Sequence, residues 1–249
     1  MCIEHYMFND RGMTSMNTAE YIYKTELHMH TEPASSCGHV FPEEAVKLYA
    51  EKGYHSLVIC NHFSYKLLLQ GDKKETIETY LDDIRRAKEA AKEYDINIIL
   101  GCEVRVEENV NDYLLFGIDE EDLSFIYDYL DKPFEEFSKA FRSEDKLIIQ
   151  AHPFRDGMTM VNPDLLDGIE VFNMHPRHNS RNGLSARYAK EHPFIVTAGT
   201  DFHRVQDVGL SAMLTKTEMK TSHDIVMALK EGNYIFEIGE NFVIPKRMK

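Results

Sequence analysis

The chain has 249 residues and carries 28 Lys and Arg against 42 Asp and Glu, a formal net charge of −14 at pH 7. A surface this acidic repels phosphate backbones, which argues against extended nucleic acid as a partner. The four cysteines form no C-x-x-C pair and no apolar run approaches the roughly 20 residues of a membrane span, so we expect a cytoplasmic protein with reduced thiols and no membrane partner.

Apolar runs alternate with helix-like segments along the chain, a pattern typical of α/β proteins with a largely parallel sheet. After a polar N-terminal leader over residues 1–20, strands are predicted at 21–31, 55–62, 96–106, 112–117, 146–152, 168–173, 194–201 and 234–238. Helices are predicted at 42–53, 73–94, 120–142 (two short helices), 181–191 and 222–231. The sequence contains no internal repeat or linker, so residues 21–249 are predicted to form a single domain.

Histidine and acidic side chains stand at the ends of most predicted strands. They are Glu26, His28, His30, His62, Glu103, His152, Asp201 and His203. Because the carboxyl ends of the strands of a parallel barrel open at one end, these side chains are expected to converge there. Imidazole and carboxylate together suit Zn²⁺, Mn²⁺ or Fe²⁺, and there are more ligands than one ion can use. The pattern therefore predicts two or three divalent ions, with Glu103 as a bridging carboxylate.

A cluster of this kind hydrolyses phosphate esters, because one ion lowers the pKa of a bound water towards roughly 7 while the others neutralise charge on the phosphoryl oxygens. The nucleophile would then be metal-bound hydroxide. The sequence has no G-x-S-x-G motif that would indicate a serine nucleophile instead.

The order and spacing of these blocks resemble those of the PHP (polymerase and histidinol phosphatase) superfamily. The matching blocks are Glu26-Leu-His28-Met-His30-Thr, Asn61-His62, Gly-Cys-Glu103, Ala-His152-Pro and Gly-Thr-Asp201-Phe-His203. The resemblance extends from about residue 25 to residue 207. It implies a distorted seven-stranded, TIM-like (β/α) barrel with a di- or trinuclear metal site.

The resemblance also implies roles for individual residues. His28, His30 and Asp201 would bind a first ion, and Glu103 would bridge it to a second ion that His152 also binds. The reaction would accordingly depend on Glu103, His152 and Asp201, acting through metal-bound hydroxide.

His62 and His203 would bind a third ion, and His39 in Ser-Cys-Gly-His fits a further histidine that the family supplies after its H-x-H motif. The sequence departs from the family pattern at three positions, the first of which is Glu26, where the family more often has an aspartate. Asn61 stands where an aspartate is commoner, and Asp112 is the only obvious replacement for a histidine that usually binds the second ion. Whether Asp112 is a ligand stays open at this point.

Three further residues are candidates for substrate binding. Arg177 and His175 follow the strand predicted at 168–173, and Arg155 follows His152-Pro-Phe, so all three would lie at the catalytic rim. An arginine can hold two phosphate oxygens with its planar guanidinium. The alternative for Arg177 and His175 is a helix-initiating loop whose charges face water.

We therefore predict a metal-dependent phosphatase or phosphodiesterase acting on a small phosphorylated substrate. A nuclease or nucleotide-processing enzyme of the same superfamily is an alternative, although the sequence has no strongly basic cluster. A second alternative is a regulatory metal-binding module with weak or no catalysis, which the departures at Asn61 and Asp112 would fit. A metal-dependent amidohydrolase is the alternative that the motifs favour least. The metal, the substrate and the oligomeric state are left open.

Overall fold

The computed structural model describes residues 17–69 and 71–245. The predicted leader over residues 1–20 lies outside the described residues up to residue 16, and its end forms a single 3₁₀ turn at Thr18–Glu20. None of the helices in these two ranges is long and apolar enough to cross a membrane.

The described residues form strands and helices in alternation, as predicted for an α/β protein. The strands are β1 (Tyr23–Met29), β2 (Ser56–Ile59), β3 (His62–Ser64), β4 (Asn97–Leu100), β5 (Cys102–Arg105), β6 (Tyr113–Phe116), β7 (Leu147–Gln150), β8 (Gly168–Asn173), β9 (Ile195–Gly199), β10 (Ser211–Thr215), β11 (Tyr234–Ile238) and β12 (Asn241–Val243). The α-helices are α1 (Pro42–Glu51), α2 (Lys73–Ala91), α3 (Asp122–Asp128), α4 (Phe134–Phe141), α5 (Asn182–Tyr188) and α6 (Ser222–Glu231). Strands β10 and β12 were not predicted from the sequence.

The strands form two six-stranded mixed sheets, in the orders β12-β11-β10-β1-β2-β4 and β3-β5-β6-β7-β8-β9. The predicted distorted, seven-stranded TIM-like barrel is therefore not confirmed, and the strands of the described residues form no closed barrel. One reason is that two predicted strands are each interrupted, so that their first halves (β2, β4) pair in one sheet and their second halves (β3, β5) pair in the other. Another is that β10 runs antiparallel along the free edge of β1.

Gly101 stands at the second of these interruptions. A Cβ atom added there would lie 2.6 Å from both the Cys60 sulfur and a methyl carbon of Val58. Only glycine allows the two neighbouring chain segments to approach this closely. The interruption thus places Cys102 and Glu103 in the second sheet, directly beside the segment that carries His62.

Backbone hydrogen bonds join the two sheets where β1 and β9 end. The N–H of Asp201 donates to the carbonyl of His28 at 2.8 Å, and the N–H of His30 donates to the carbonyl of Phe202 at 2.9 Å. Because β6 is antiparallel to β5 and β7, its beginning lies at the same end of the sheet as their carboxyl ends. The ends of several strands, and Asp112 just before β6, are therefore brought to one region.

The helices cover the sheets, and local capping explains where two of them begin. The Asp72 carboxylate accepts the backbone N–H groups of Lys74 and Glu75 at the start of α2, at 2.6 and 3.3 Å. Thr221 and Asp224 form a reciprocal capping box at the start of α6. The buried apolar faces of these helices pack on a large apolar core between helices and sheets.

Candidate metal centre

Glu103 lies at the centre of the converging side chains and is almost completely buried. Its Oε1 atom is 3.4 Å from His28 Nε2 and 3.3 Å from His152 Nε2. Its Oε2 atom is 3.4 Å from His30 Nε2 and 2.9 Å from His62 Nδ1. One carboxylate thus faces four imidazoles, two on each oxygen, as expected of a ligand that bridges two ions.

Asp201, which follows strand β9, contributes a second carboxylate to the cluster. Its Oδ1 atom lies 3.5 Å from His28 Nε2, 3.3 Å from His30 Nε2 and 3.5 Å from His203 Nδ1. Asp201 and His152 both have left-handed backbones, with φ of 55° and 30°. Such conformations cost a non-glycine residue about 1–3 kcal/mol and concentrate at functional sites, where the surrounding structure enforces them.

The unsatisfied polar atoms of the cluster test whether a metal fits it. Neither oxygen of Glu103 has a hydrogen-bond partner although both are buried, and the same is true of His152 Nδ1. A buried carboxylate without a partner is costly, by several kcal/mol in most settings. Divalent cations between the carboxylate and the imidazole nitrogens would remove this cost, so the residues present fit the metal ions that the motifs predict.

The tautomer of His28 supports the same conclusion. Its Nδ1 atom lies 2.9 Å from Glu170 Oε1, and an ionised carboxylate can only accept a hydrogen bond, so Nδ1 carries the proton. In the neutral ring, the lone pair of Nε2 is then directed towards Glu103 and Asp201, where a cation bound between these groups would accept it. Metal-binding histidines are typically held in this way by a carboxylate behind the ring.

The electrostatic environment keeps the central carboxylates ionised. Burial acts to raise the pKa of Glu103, but the neighbouring His62, His28 and His152 outweigh it and hold the pKa well below its usual value. Burial also acts to raise the pKa of Asp201, and His28 and His30 reverse it in the same way. Both groups are therefore available as anionic ligands at neutral pH.

A further group of ligand atoms lies around His30 and would hold the predicted third ion. It contains Cys37, which was not predicted as a ligand from the sequence. Single ligand atoms of His30, Cys37, His62 and His203 all lie within 4.8 Å of one another. Burial acts to raise the pKa of the Cys37 thiol, but hydrogen bonds to His203 and His62 outweigh it and lower the pKa to about 7. His39, the predicted additional ligand, has an exposed side chain and is not brought together with this group.

Asp112 lies at the edge of the centre. It belongs to a group with His62 and Glu103 whose ligand atoms are within 4.8 Å of one another, and its Oδ2 atom is 3.8 Å from His152 Nε2. Arg105 also forms a two-pronged ion pair with Asp112, at 2.7 and 2.5 Å. The structure thus brings Asp112 close to Glu103 and His152, while the half-buried Arg105 shares its charge.

Glu170 is a further buried acid that the sequence analysis missed. Besides holding His28, it accepts the backbone N–H of His152 at 3.0 Å and the side-chain amide of Asn173 at 2.9 Å. Asn173 also donates to Asp201 Oδ2 at 3.1 Å. A signal was present, since Glu170 is the only charged residue in the apolar strand GIEVFN, and a buried acid needs a structural or functional reason.

Glu26, which opens the first motif, faces away from the centre. Its carboxylate accepts the backbone N–H groups of His28 and Thr200 at 3.0 and 2.9 Å and the Tyr49 hydroxyl at 3.0 Å. Burial raises the pKa of Glu26 to about 7. Its role is to fix the ends of β1 and β9 relative to each other.

Of the predicted substrate-binding residues, Arg155 is close to the centre but already paired. Its Nη2 atom donates to Asp201 Oδ2 at 2.5 Å and to Asn173 Oδ1 at 2.8 Å. Its Nε atom is buried and has no hydrogen-bond partner. Arg155 therefore positions Asp201 and has donors left for another group.

His175 lies beside His203, and Arg177 follows His175 by two residues in the chain. Arg177 forms a two-pronged ion pair with Asp207, at 2.7 and 2.6 Å. The His175 ring is buried, with its centroid 4.9 Å from that of His203, and burial lowers its pKa to about 4. His175 thus lies next to the ligand group that contains His203 and Cys37.

The departure at Asn61 has a structural explanation. The Asn61 Oδ1 atom accepts the backbone N–H of Thr31 at 2.7 Å, while its Nδ2 donates to the Thr31 hydroxyl at 2.9 Å and to Asp83 Oδ2 at 3.2 Å. Because Asp83 is buried and only accepts, its neighbour must donate, and an amide can do so where a second carboxylate cannot. Asn61 thus holds the segment between the H-x-H motif and α1.

We therefore expect Asn61→Asp to lower the free energy of unfolding by about 1–3 kcal/mol, because it replaces a donor with a second buried charge beside Asp83. Urea denaturation monitored by circular dichroism would measure the loss. The exchanged double variant Asn61→Asp/Asp83→Asn restores one donor and one acceptor and should recover much of it. Equal stability of the wild type and Asn61→Asp would contradict this account.

Comparison with known proteins agrees with the motifs. The model of the PHP domain family matches residues 26–238, which confirms the resemblance seen in the sequence. A search of curated proteins found no match to the chain. Among solved structures, a two-domain protein from Bacteroides vulgatus ATCC 8482 that contains a predicted PHP-like metal-dependent phosphoesterase has a TM-score of 0.58 at 17% identity. That alignment covers 88% of this chain and only 66% of the other. PsfC from Pseudomonas syringae PB-5123 has a TM-score of 0.56 at 14% identity, over 82% of this chain and 87% of its own. Both likenesses indicate a shared fold.

Proposed function

The chain belongs to the PHP domain family, and we propose that it is a metal-dependent phosphoesterase that hydrolyses a small phosphate ester at the centre around Glu103. The observation that carries the proposal is the buried Glu103 carboxylate, which has no hydrogen-bond partner and is surrounded by four imidazoles. Without cations, the buried carboxylate destabilises the fold. With cations bound, the same centre can activate water and neutralise charge on a phosphate ester.

We propose that two or three divalent ions (Mn²⁺, Zn²⁺ or Fe²⁺) bind here. His28, His30 and Asp201 would hold one ion, and Glu103 would bridge it to a second beside His152, with Asp112 at its edge. When bound, the ions would supply an activated water and positive charge for the phosphoryl oxygens.

His62 and His203 would hold the third ion on the other side of His30. The rings of His62 and His203 each lie 4.6 Å from the His30 ring, so this ion would be a close neighbour of the first. Adjacent ions of this kind suit a phosphate group, whose oxygens can contact more than one of them.

A small substrate is favoured over nucleic acid by the formal net charge of −14. Positive charge at the rim comes from Arg155 and Arg177, each already paired with one aspartate. We place the reaction in the cytoplasm, since Cys37, Cys60 and Cys102 are all free thiols, as is usual in a reducing compartment.

The first test combines elemental analysis of the purified protein with hydrolysis of p-nitrophenyl phosphate and bis-p-nitrophenyl phosphate, before and after chelation. We expect bound divalent ions and chelator-sensitive hydrolysis of at least one of the two esters, which also separates monoesterase from diesterase activity. A protein that takes up no metal after reconstitution with Mn²⁺ or Zn²⁺, or whose hydrolysis survives complete metal removal, would refute the proposal.

We propose that Arg177 and His175 bind substrate at the rim, and that Arg155 acts mainly by positioning Asp201. Two of the five N–H donors of Arg177 are directed at Asp207, and its Nη2 atom also lies 3.3 Å from His175 Nε2, which leaves further donors for a phosphate oxygen. A hydrogen bond to a charged group contributes about 1.5–3 kcal/mol.

The expected result is that Arg177→Ala raises KM by roughly ten- to hundredfold, and more than it lowers kcat. Arg155→Ala should instead lower kcat and metal content, because Asp201 loses its main hydrogen-bond donor. Steady-state kinetics with metal analysis would separate the two effects. Arg187→Ala, an exposed arginine on α5, is the matched control, and an equal rise in KM there would remove Arg177 from the site.

A further inference from the structure

We propose that Cys37 supplies a thiolate ligand to the third ion, the one held by His62 and His203, so that this position has a sulfur donor while the other two have only nitrogen and oxygen donors. The inference rests on the proposed function for the presence of metal, but concerns a residue that the family motifs did not indicate. The motif pattern had indicated His39 as the ligand from this loop.

The geometry of the cluster carries the proposal. The Cys37 sulfur lies within 4.8 Å of the ligand nitrogens of His62, His203 and His30, a spacing that one ion with bonds of about 2.0–2.3 Å can span. His30 is completely buried at the floor of the group, and Cys37 itself is half-buried. Cys37 therefore shares its half-buried position with His62 and His203, while His30 alone of the four is fully buried.

The loop between β1 and α1 is built to hold Cys37 at this position. The N–H of Ser35 donates to the carbonyl of Thr31 at 2.9 Å, and the N–H of Gly38 donates to the carbonyl of Ser35 at 3.0 Å. A Cβ atom added to Gly38 would lie 2.9 Å from the carbonyl carbon of Thr31, so only glycine fits this turn. The residue before that glycine is therefore fixed close to the H-x-H motif.

The same loop turns His39 away from the cluster. Its backbone N–H donates to the carbonyl of His203 at 2.9 Å, while its side chain is exposed. This hydrogen bond ties the loop to the segment after β9, which brings Cys37 and His203 together. His39 thus contributes to the position through its backbone, and the thiol contributes the side chain.

The donor set has a consequence for metal choice. A thiolate with two or three imidazoles favours Zn²⁺, Fe²⁺ or Co²⁺ over the harder Mn²⁺. The ligand group of His28, His30 and Glu103 has no sulfur and makes no such distinction. A protein offered both Zn²⁺ and Mn²⁺ is therefore expected to take Zn²⁺ first at the Cys37 position.

Cobalt substitution tests the thiolate directly. Metal-free full-length protein is titrated with Co²⁺, and we expect a near-ultraviolet thiolate-to-cobalt charge-transfer band, with Cys37 protected from a thiol reagent in the loaded protein. Cys37→Ser should lose the band and about one bound ion per chain. Cys37→His should lose the band but keep that ion, because an imidazole replaces the sulfur.

His39→Ala is the matched control, since it changes the other candidate in the same loop, and it should keep both the band and the ion. Loss of the ion in His39→Ala, or an unchanged band in Cys37→Ser, would overturn the assignment. The readouts do not depend on catalysis. Chelator-sensitive hydrolysis without a charge-transfer band would refute the thiolate alone, whereas a band in a protein without hydrolysis would refute the phosphoesterase proposal alone.

Discussion

Replacing Glu103 by alanine is expected to lower kcat/KM for phosphate-ester hydrolysis by at least about 10³-fold, because ions that contribute several kcal/mol of charge stabilisation lose their shared ligand. Among the residues that the structure describes, only Glu103 has its carboxylate within 3.4 Å of four imidazoles, two on each oxygen. Metal content should fall with activity. Initial rates and elemental analysis on the same preparation would measure both.

A second readout distinguishes loss of metal from loss of the fold. Ions that bind only the folded state raise the melting temperature, so added Zn²⁺ or Mn²⁺ should raise the melting temperature of the wild type by more than that of Glu103→Ala, which keeps the ligands proposed for the third ion. Glu107→Ala, an exposed glutamate four residues along the chain, is the matched control and should retain both metal and hydrolysis. A folded Glu103→Ala variant with wild-type turnover would refute the proposed centre.

Much of this centre could be predicted from the sequence because the ligand types fall at the ends of apolar runs. His28, Glu103, His152 and Asp201 follow or end strand-like segments, and the ends of such segments converge when the strands are neighbours. That inference needs only the order of the strands and the direction of their side chains. It does not need a closed barrel, and the ligands converge although the described strands form two sheets.

What the sequence could not supply depends on close approach and loop shape. The interruption at Gly101 is caused by Cys60 and Val58, which lie more than 40 residues away in the chain, so no local pattern indicates it. Cys37 and His39 are two residues apart in one loop, and residue type alone favours the histidine as a ligand. The turn at Gly38 determines which of the two side chains lies in the cluster. The spacing of residues in a motif does not predict the conformation of such a turn.

Glu170 was missed because it lies inside strand β8, whereas the sequence prediction relied on acids at the ends of strands. The second prediction concerns this residue. It holds His28 Nδ1, the backbone N–H of His152 and the Asn173 amide at once, so it orients two proposed metal ligands from behind. We expect Glu170→Ala to weaken metal binding roughly 10–100-fold, as is usual for the partners of metal-binding histidines. It should also destabilise the fold by about 1–3 kcal/mol for each buried donor left unpaired. Competition with a fluorescent chelator and urea denaturation would measure the two effects.

Glu170→Gln separates the positioning role from simple loss of packing. Glutamine keeps the volume and one acceptor, but its amide group presents donors to the N–H groups that the second carboxylate oxygen now accepts. It should therefore weaken metal binding less than alanine does and still measurably, while the exposed Glu191→Gln leaves the affinity unchanged. If Glu170→Ala binds metal as tightly as the wild type, the orientation of His28 and His152 does not depend on Glu170. Their convergence on Glu103 would then be set by the backbone alone, through the left-handed conformation of His152 and the pairing of β1 with its neighbours.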